Sequence, residues 1–141
     1  MKTALVIGAT GLVGRRLTEM ALAGDRYGCV RVFVRRSTGI AHPKLDEHVV
    51  DFDRIDAWRE EVRGDDLFSA MGTTRKQAGS KEAQYRVDFT YQLEVARAAA
   101  GNGVGGLFLV SSSGASASSR SFYFRIKGEL EEAVAGLPFE R

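Results

Sequence analysis

The chain has 141 residues, 44% of them hydrophobic and 27% charged, which suffices for one core and one domain over 1–141. A net charge of +2 is too small to imply a nucleic-acid partner, so any electropositive site must be local. The single cysteine, Cys29, excludes an internal disulfide, His42 and His48 stand apart from it without zinc-site spacing, and no segment reaches the roughly 20 apolar residues of a membrane span. The composition therefore predicts a protein of a reducing compartment, taken as the cytoplasm, with no membrane partner.

Strand-like apolar runs alternate with helix-period segments along the whole chain. This pattern predicts an α/β fold in three layers, a doubly wound parallel sheet with helices on both faces. The strands are expected at 3–8, 29–35, 47–50, 66–71 and 105–111, and the helices at 12–23, 54–62, 81–101 and 125–136.

The first strand runs into Gly8-Ala9-Thr10-Gly11-Leu12-Val13-Gly14. Gly8 permits a tight bend, Gly11 lets the main chain approach a diphosphate, and Gly14 lets the following helix pack closely. N–H groups at that helix start, with its dipole, favour an anion. Gly8, Thr10, Gly11, Leu12 and Val13 are accordingly candidate nucleotide contacts. A plain strand-loop-helix connection is the alternative.

The second strand ends in Arg35-Arg36, where an NAD site would usually place an acid on the adenosine ribose. Two guanidiniums suit a 2′-phosphate instead, so NADP(H) is expected in preference to NAD(H). A solvated Arg pair is the bland reading, and Arg15-Arg16 either contributes or merely faces solvent. At the third strand end Asp51 and Phe52 are candidate adenine contacts, with Asp51 alternatively a turn or capping residue. Asp53 is expected to cap the next helix, and Trp58 to lie in the core.

After the fourth strand come Ala70, Met71, Gly72 and Thr73, across the expected strand-order reversal from the glycine loop. Ligands of open α/β sheets cross that point. The long helix carries two apolar stripes, Tyr85, Phe89, Leu93, Ala96 and Ala100, and Val87, Tyr91, Val95 and Ala99. One is expected on the sheet, and the other is either the edge of the same core face or a homodimer contact.

Ser111-Ser112-Ser113 follows the fifth strand, and Tyr123-Phe124-Arg125-Ile126-Lys127 comes ten residues later. Tyr123 and Lys127 stand one helical turn apart on one face. An ammonium beside a phenol favours the phenolate, which equips Tyr123 to give or take a proton. An amphipathic helix with a half-buried Tyr123 is the alternative.

Together the Gly8-x-x-Gly11-x-x-Gly14 loop, Asp51-Phe52, the serine cluster and Tyr123-x-x-x-Lys127 resemble the short-chain dehydrogenase/reductase superfamily. Met71-Gly72-Thr73-Thr74-Arg75, Arg86-Val87-Asp88 and Phe122 to Glu129 resemble more specifically its atypical HIV Tat-interacting-protein-like oxidoreductases. The resemblance covers essentially the whole chain. It implies a Rossmann fold binding NADP(H), with Tyr123 as acid/base, Lys127 on the nicotinamide ribose and Ser112 or its rival Ser113 orienting a small carbonyl substrate. Two departures stand out: Asp88 replaces the family's usual relay Asn, and the usual Pro-Gly segment after a sixth strand is absent. The chain stops at Leu137 to Arg141 where that strand is due, so the C-terminal part of the fold is expected to be missing. The activity expected is NADPH-dependent reduction of a carbonyl, against a cofactor-binding regulatory or assembly protein without turnover, or an epimerase or dehydratase using the cofactor transiently.

Overall fold

The computed structural model describes residues 1–72, 78–110 and 116–140. Five strands, β1 (Lys2–Ile7), β2 (Tyr27–Val34), β3 (Leu45–Val49), β4 (Asp66–Ser69) and β5 (Gly106–Leu109), form one sheet in the order β3-β2-β1-β4-β5. Every pairing is parallel, and β1 sits at the centre with Ile7 registered against Phe33 on one side and Ser69 on the other. The Rossmann architecture expected above is the one found. The strand order reverses between β1 and β4, which opens a crevice beyond their carboxyl ends.

A strand covered on both faces must be apolar at every position, and Ala4 to Ile7 are all at most 1% exposed. Alternation then assigns residues to two cores. Leu5 and Ile7 join Phe33, Leu67, Val95 and Ala99 on one face, while Ala4 and Val6 join Val30, Val32, Val34 and Leu22 on the other. Helix α1 (Leu12–Ala23) closes the second core, and the helices after β4 and β5 close the first.

Helix α1 has the predicted bounds. The helix expected at 54–62 does not form; two 3₁₀ turns, Phe52–Ala57 and Arg59–Glu61, take its place. Arg54 leaves helical geometry at φ −129°, ψ 54°. Trp58 is the reason: its indole stacks on Phe33 at 5.0 Å, meets Phe52 edge-on at 5.4 Å and donates to the Asp51 carbonyl at 2.9 Å. Aromatic pairs of this kind are worth about 0.5–1.5 kcal/mol beyond their buried area, which exceeds the helix propensity at stake. The cap is Asp51 rather than Asp53, its Oδ1 accepting the Asp53 N–H at 2.9 Å.

The long helix spans the predicted 81–101 but is not uniform. It begins as α2 (Lys81–Tyr85), capped by Ser80, passes through a π-helical turn (Arg86–Tyr91) and ends as α3 (Gln92–Gly101), with helical backbone throughout. Helix α4 (Phe122–Ala135) starts three residues before the expected 125 and lies along the π turn and α3. Leu93, Ala96, Val95 and Ala99 are buried, so the lower half of both stripes is consumed within the chain. Among the described residues no helix is long and apolar enough to cross a membrane.

Candidate functional site

A cavity of about 560 Å³ opens at the carboxyl edge of the sheet, lined by the glycine loop, the ends of β2 and β4, and the long helix. Gly8 takes φ +84°, and a Cβ there would lie 2.5 Å from the Ala70 backbone. A Cβ on Gly14 would collide with the Gly8 carbonyl. The motif thus folds the loop onto itself and onto β4, while Gly11, little hindered, keeps its space open toward the cleft. Helix α1 has no side-chain cap at Gly11 and no acid in its first turn, so its first N–H groups await an external acceptor. Leu12 and Val13 turn their side chains outward, 92% and 48% exposed, and reach the site only through their backbone.

Arg35 and Arg36 are exposed, line the cavity and make no ion pair among the described residues. Arg15 braces the segment after them by donating to the Thr38 carbonyl at 2.9 Å. Thr38 in turn donates its N–H and hydroxyl to Glu47 at 2.9 and 2.7 Å, bonds that hold the Glu47 carboxyl below its ordinary value. Phe52 is buried and lines the cleft, whereas Asp51 does not line it and spends its carboxylate on its capping bond and on Arg54 at 3.8 Å. Of the two readings left open for Asp51, the capping one matches this geometry.

Ala70, Met71 and Gly72 form the floor. Thr73, Ser112 and Ser113 lie outside the described residues. Lys127 is 6% exposed, and its Nζ lies 3.8 Å from the Asp88 carboxylate and 5.2 Å from the centre of the Tyr123 ring. Tyr123, one turn back on α4, is 38% exposed. The expected pairing of Tyr123 with Lys127 is therefore present in space. Lys127 approaches the cleft through Gly72, where a Cβ would come within 3.4 Å of its Nζ.

Spacing along the chain missed part of the lining: Ala9, Phe33, Val34, Ala78, Ala83, Arg86, Val87 and Tyr91. The first three adjoin predicted contacts and were within reach. Arg86, Val87 and Tyr91 arrive from the helix above the cleft; Val87 and Tyr91 top one of the apolar stripes. Tyr91 donates to Asp53 at 2.6 Å, with Arg86 at 3.9 Å from the same carboxylate. Burial first, then its hydrogen bond to Asp53, raise the Tyr91 phenol above its ordinary value. Among the described residues no group of three or more His, Cys, Asp or Glu is placed to hold a metal ion.

These donors fit a nicotinamide dinucleotide: uncapped N–H groups for the diphosphate, an apolar wall at Phe52 for a base, and guanidiniums beside the adenosine end. Comparison with known proteins agrees. The profile of a family described as NAD(P)H-binding matches residues 8–135. Protein FMP52, mitochondrial, of Candida glabrata is 37% identical across 99% of this chain and 60% of that protein. Protein HTATIP2 of Rattus norvegicus is 34% identical across 99% of this chain and 59% of that protein. The chain spans about 60% of the length of these relatives. In structure it superposes on a short-chain dehydrogenase/reductase superfamily protein of Agrobacterium tumefaciens with bound NAD at TM-score 0.79 and 20% identity, covering 94% of this chain and 44% of that one. The enzyme WbmG of Bordetella bronchiseptica in complex with NAD superposes at TM-score 0.80 and 13% identity, covering 98% of this chain and 50% of that one.

The expected cytoplasmic location is overturned by relatives that are named as mitochondrial proteins. A lone unpaired cysteine marks a reducing environment without saying which one. The glycine loop, the Rossmann sheet and the matched profile together establish that this chain belongs to the NAD(P)H-binding family.

Proposed function

We propose that this chain is the cofactor-binding part of an NADPH-dependent oxidoreductase that reduces a small carbonyl compound. The observation that carries the reading is the position of Lys127, whose ammonium sits against Gly72 of the cleft and 5.2 Å from the Tyr123 ring. One side chain thereby connects the cofactor cleft to an exposed phenol. When bound, the nicotinamide supplies the hydride.

The chain's own groups do the rest. N–H groups at the start of α1 hold the diphosphate, Phe52 packs on the adenine, and Arg35 with Arg36 pairs with a 2′-phosphate. Lys127 holds the nicotinamide ribose beside Tyr123. Tyr123 gives its proton to the carbonyl oxygen as that oxygen becomes an alcohol. Ser112, or Ser113 beside it, hydrogen-bonds the same oxygen as charge builds. The preference for NADPH rests on two exposed guanidiniums where an NAD site carries an acid.

The test is calorimetric titration with NADPH and NADH, followed by a carbonyl panel with wild type and Tyr123→Phe. The reading expects tighter NADPH binding, and a variant that keeps this affinity but loses turnover. A Tyr123→Phe protein that turns over at the wild-type rate removes Tyr123 from the chemistry.

A further inference from the structure

Past the end of β3 the acid is spent on its own turn. The Asp51 carbonyl accepts the indole N–H of Trp58 at 2.9 Å and the Arg54 N–H at 3.0 Å, its Oδ1 accepts the Asp53 N–H at 2.9 Å, and its Oδ2 lies 3.8 Å from Arg54. Every oxygen of Asp51 is thus engaged locally, and the residue does not line the cleft. Among the described residues that do line it, none has a carboxylate or amide side chain, and the charged ones, Arg35, Arg36 and Arg86, only donate hydrogen bonds. The 6-amino group of an adenine is itself a donor and meets no charged acceptor there.

That end of the cleft offers aromatic surface. Phe52 and Tyr91 both line it, with ring centres 5.6 Å apart and planes inclined by 31°. Neither ring is loose. Trp58 meets Phe52 edge-on at 5.4 Å, and the Tyr91 hydroxyl donates to Asp53 at 2.6 Å, with Arg86 3.9 Å from the same carboxylate. Because Asp53 follows Phe52 in the chain, this bond ties the turn after β3 to the long helix and fixes the two rings side by side. A platform set before its ligand arrives binds without first having to be ordered. A base stacks on such a surface whatever groups its edge carries, since every base has a π-face.

We propose that Tyr91 is a base-binding residue that extends Phe52 into a two-ring platform, and that the cleft therefore takes a purine by its face and not by its 6-amino group. The inference rests on the cofactor reading above and sets its base specificity: a dinucleotide carrying a 6-oxopurine is accepted as well as one carrying adenine.

The experiment measures the affinity of the full chain for three ligands in wild type, Tyr91→Phe and Tyr91→Leu. They are NADPH, reduced nicotinamide hypoxanthine dinucleotide phosphate, in which an oxygen replaces the 6-amino group, and reduced nicotinamide mononucleotide, which lacks the adenosine half. Wild type is expected to bind the two dinucleotides within about threefold of each other. Tyr91→Leu is expected to weaken both roughly tenfold and to leave the mononucleotide within about twofold, whereas Tyr91→Phe, which keeps the ring and loses only the tie to Asp53, costs about threefold. A wild type that prefers NADPH to the hypoxanthine form by roughly tenfold or more overturns the proposal, because the amino group is then read. Unchanged dinucleotide affinity in Tyr91→Leu overturns it too, as does equal loss of all three ligands, which marks a role in folding alone. If Tyr91→Leu does not fold, Asp53→Ala, which leaves both rings and cuts the tie, must weaken the two dinucleotides by a common factor of about threefold and spare the mononucleotide; a loss confined to NADPH, or no loss, overturns the proposal. Wild type that binds neither dinucleotide is a separate outcome, and it overturns the cofactor reading together with this one.

Discussion

Two fully buried carboxylates, Asp66 and Asp88, stand at opposite ends of the same sheet and are treated differently. Asp66, at the amino end of β4, accepts a hydrogen bond from the Tyr27 hydroxyl at 2.7 Å, with Arg26 at 3.7 Å. Asp88, beside the carboxyl end, has the Lys127 ammonium at 3.8 Å, both groups lying next to Gly72 of the cleft floor. The first contact is short and closed, the arrangement of a group that locks the fold. The second is long and borders an open cleft. In a parallel sheet the helix starts converge on the carboxyl edge, so ligands are bound there and the amino edge is left to stability.

The division can be broken most forcefully at Gly8, where the two roles coincide. Gly8→Val adds left-handed strain of about 1–2 kcal/mol and overpacking of about 1–3 kcal/mol. It is expected to lower the melting temperature and to abolish NADPH binding, and a variant that binds normally would show that the close approach to Ala70 is dispensable.

At the amino edge, Tyr27→Phe leaves Asp66 without its short hydrogen bond and is expected to destabilise by about 1–3 kcal/mol in chemical denaturation, with NADPH affinity unchanged. The same contact sets a pH dependence. Burial, then the bond to Asp66, pushes the Tyr27 phenol up to about 12 from 10.0. Because the folded value lies above the unfolded one, this stabilisation is complete below pH 10 and is lost as the pH rises through about 12. Denaturation curves across that window should fall more steeply for wild type than for Tyr27→Phe.

At the carboxyl edge the reverse pattern is expected. Arg35→Asp removes a charge-assisted contact and places an acid where it can meet a ribose, shifting preference toward NADH by roughly tenfold or more with little change in melting temperature. Unchanged preference would discard the Arg pair as its origin. The smallest effect is expected from Asp51→Ala, about 1 kcal/mol of stability from the lost cap and NADPH affinity held. A marked loss of affinity instead would restore Asp51 as an adenine contact.

The parts of the site that were legible in the sequence are those whose chemistry is local. Gly8 declares a turn through a left-handed backbone that few other residues tolerate, Gly14 allows the close packing beside it, and α1 follows with its predicted bounds. Tyr123 and Lys127 are one turn apart because helical period alone brings them together. Asp51 and Asp53 were harder to separate, since either could cap and the choice depended on where Trp58 pulled the chain. Arg86, Val87 and Tyr91 carry no local sign of a cleft.

The sequence by itself determined the alternation of strand and helix, the glycine loop and the Tyr-Lys pair, because each depends on neighbours within one or two turns. Only the tertiary structure decided that the segment after β3 forms 3₁₀ turns, that the long helix contains a π turn, and that Asp88 meets Lys127 beneath Gly72. These depend on packing between residues distant in the chain: Trp58 on Phe33, Gln92 across to Ser69, α4 along the π turn. Burial energy gained over such distances outweighs local propensity, and linear spacing carries no record of it.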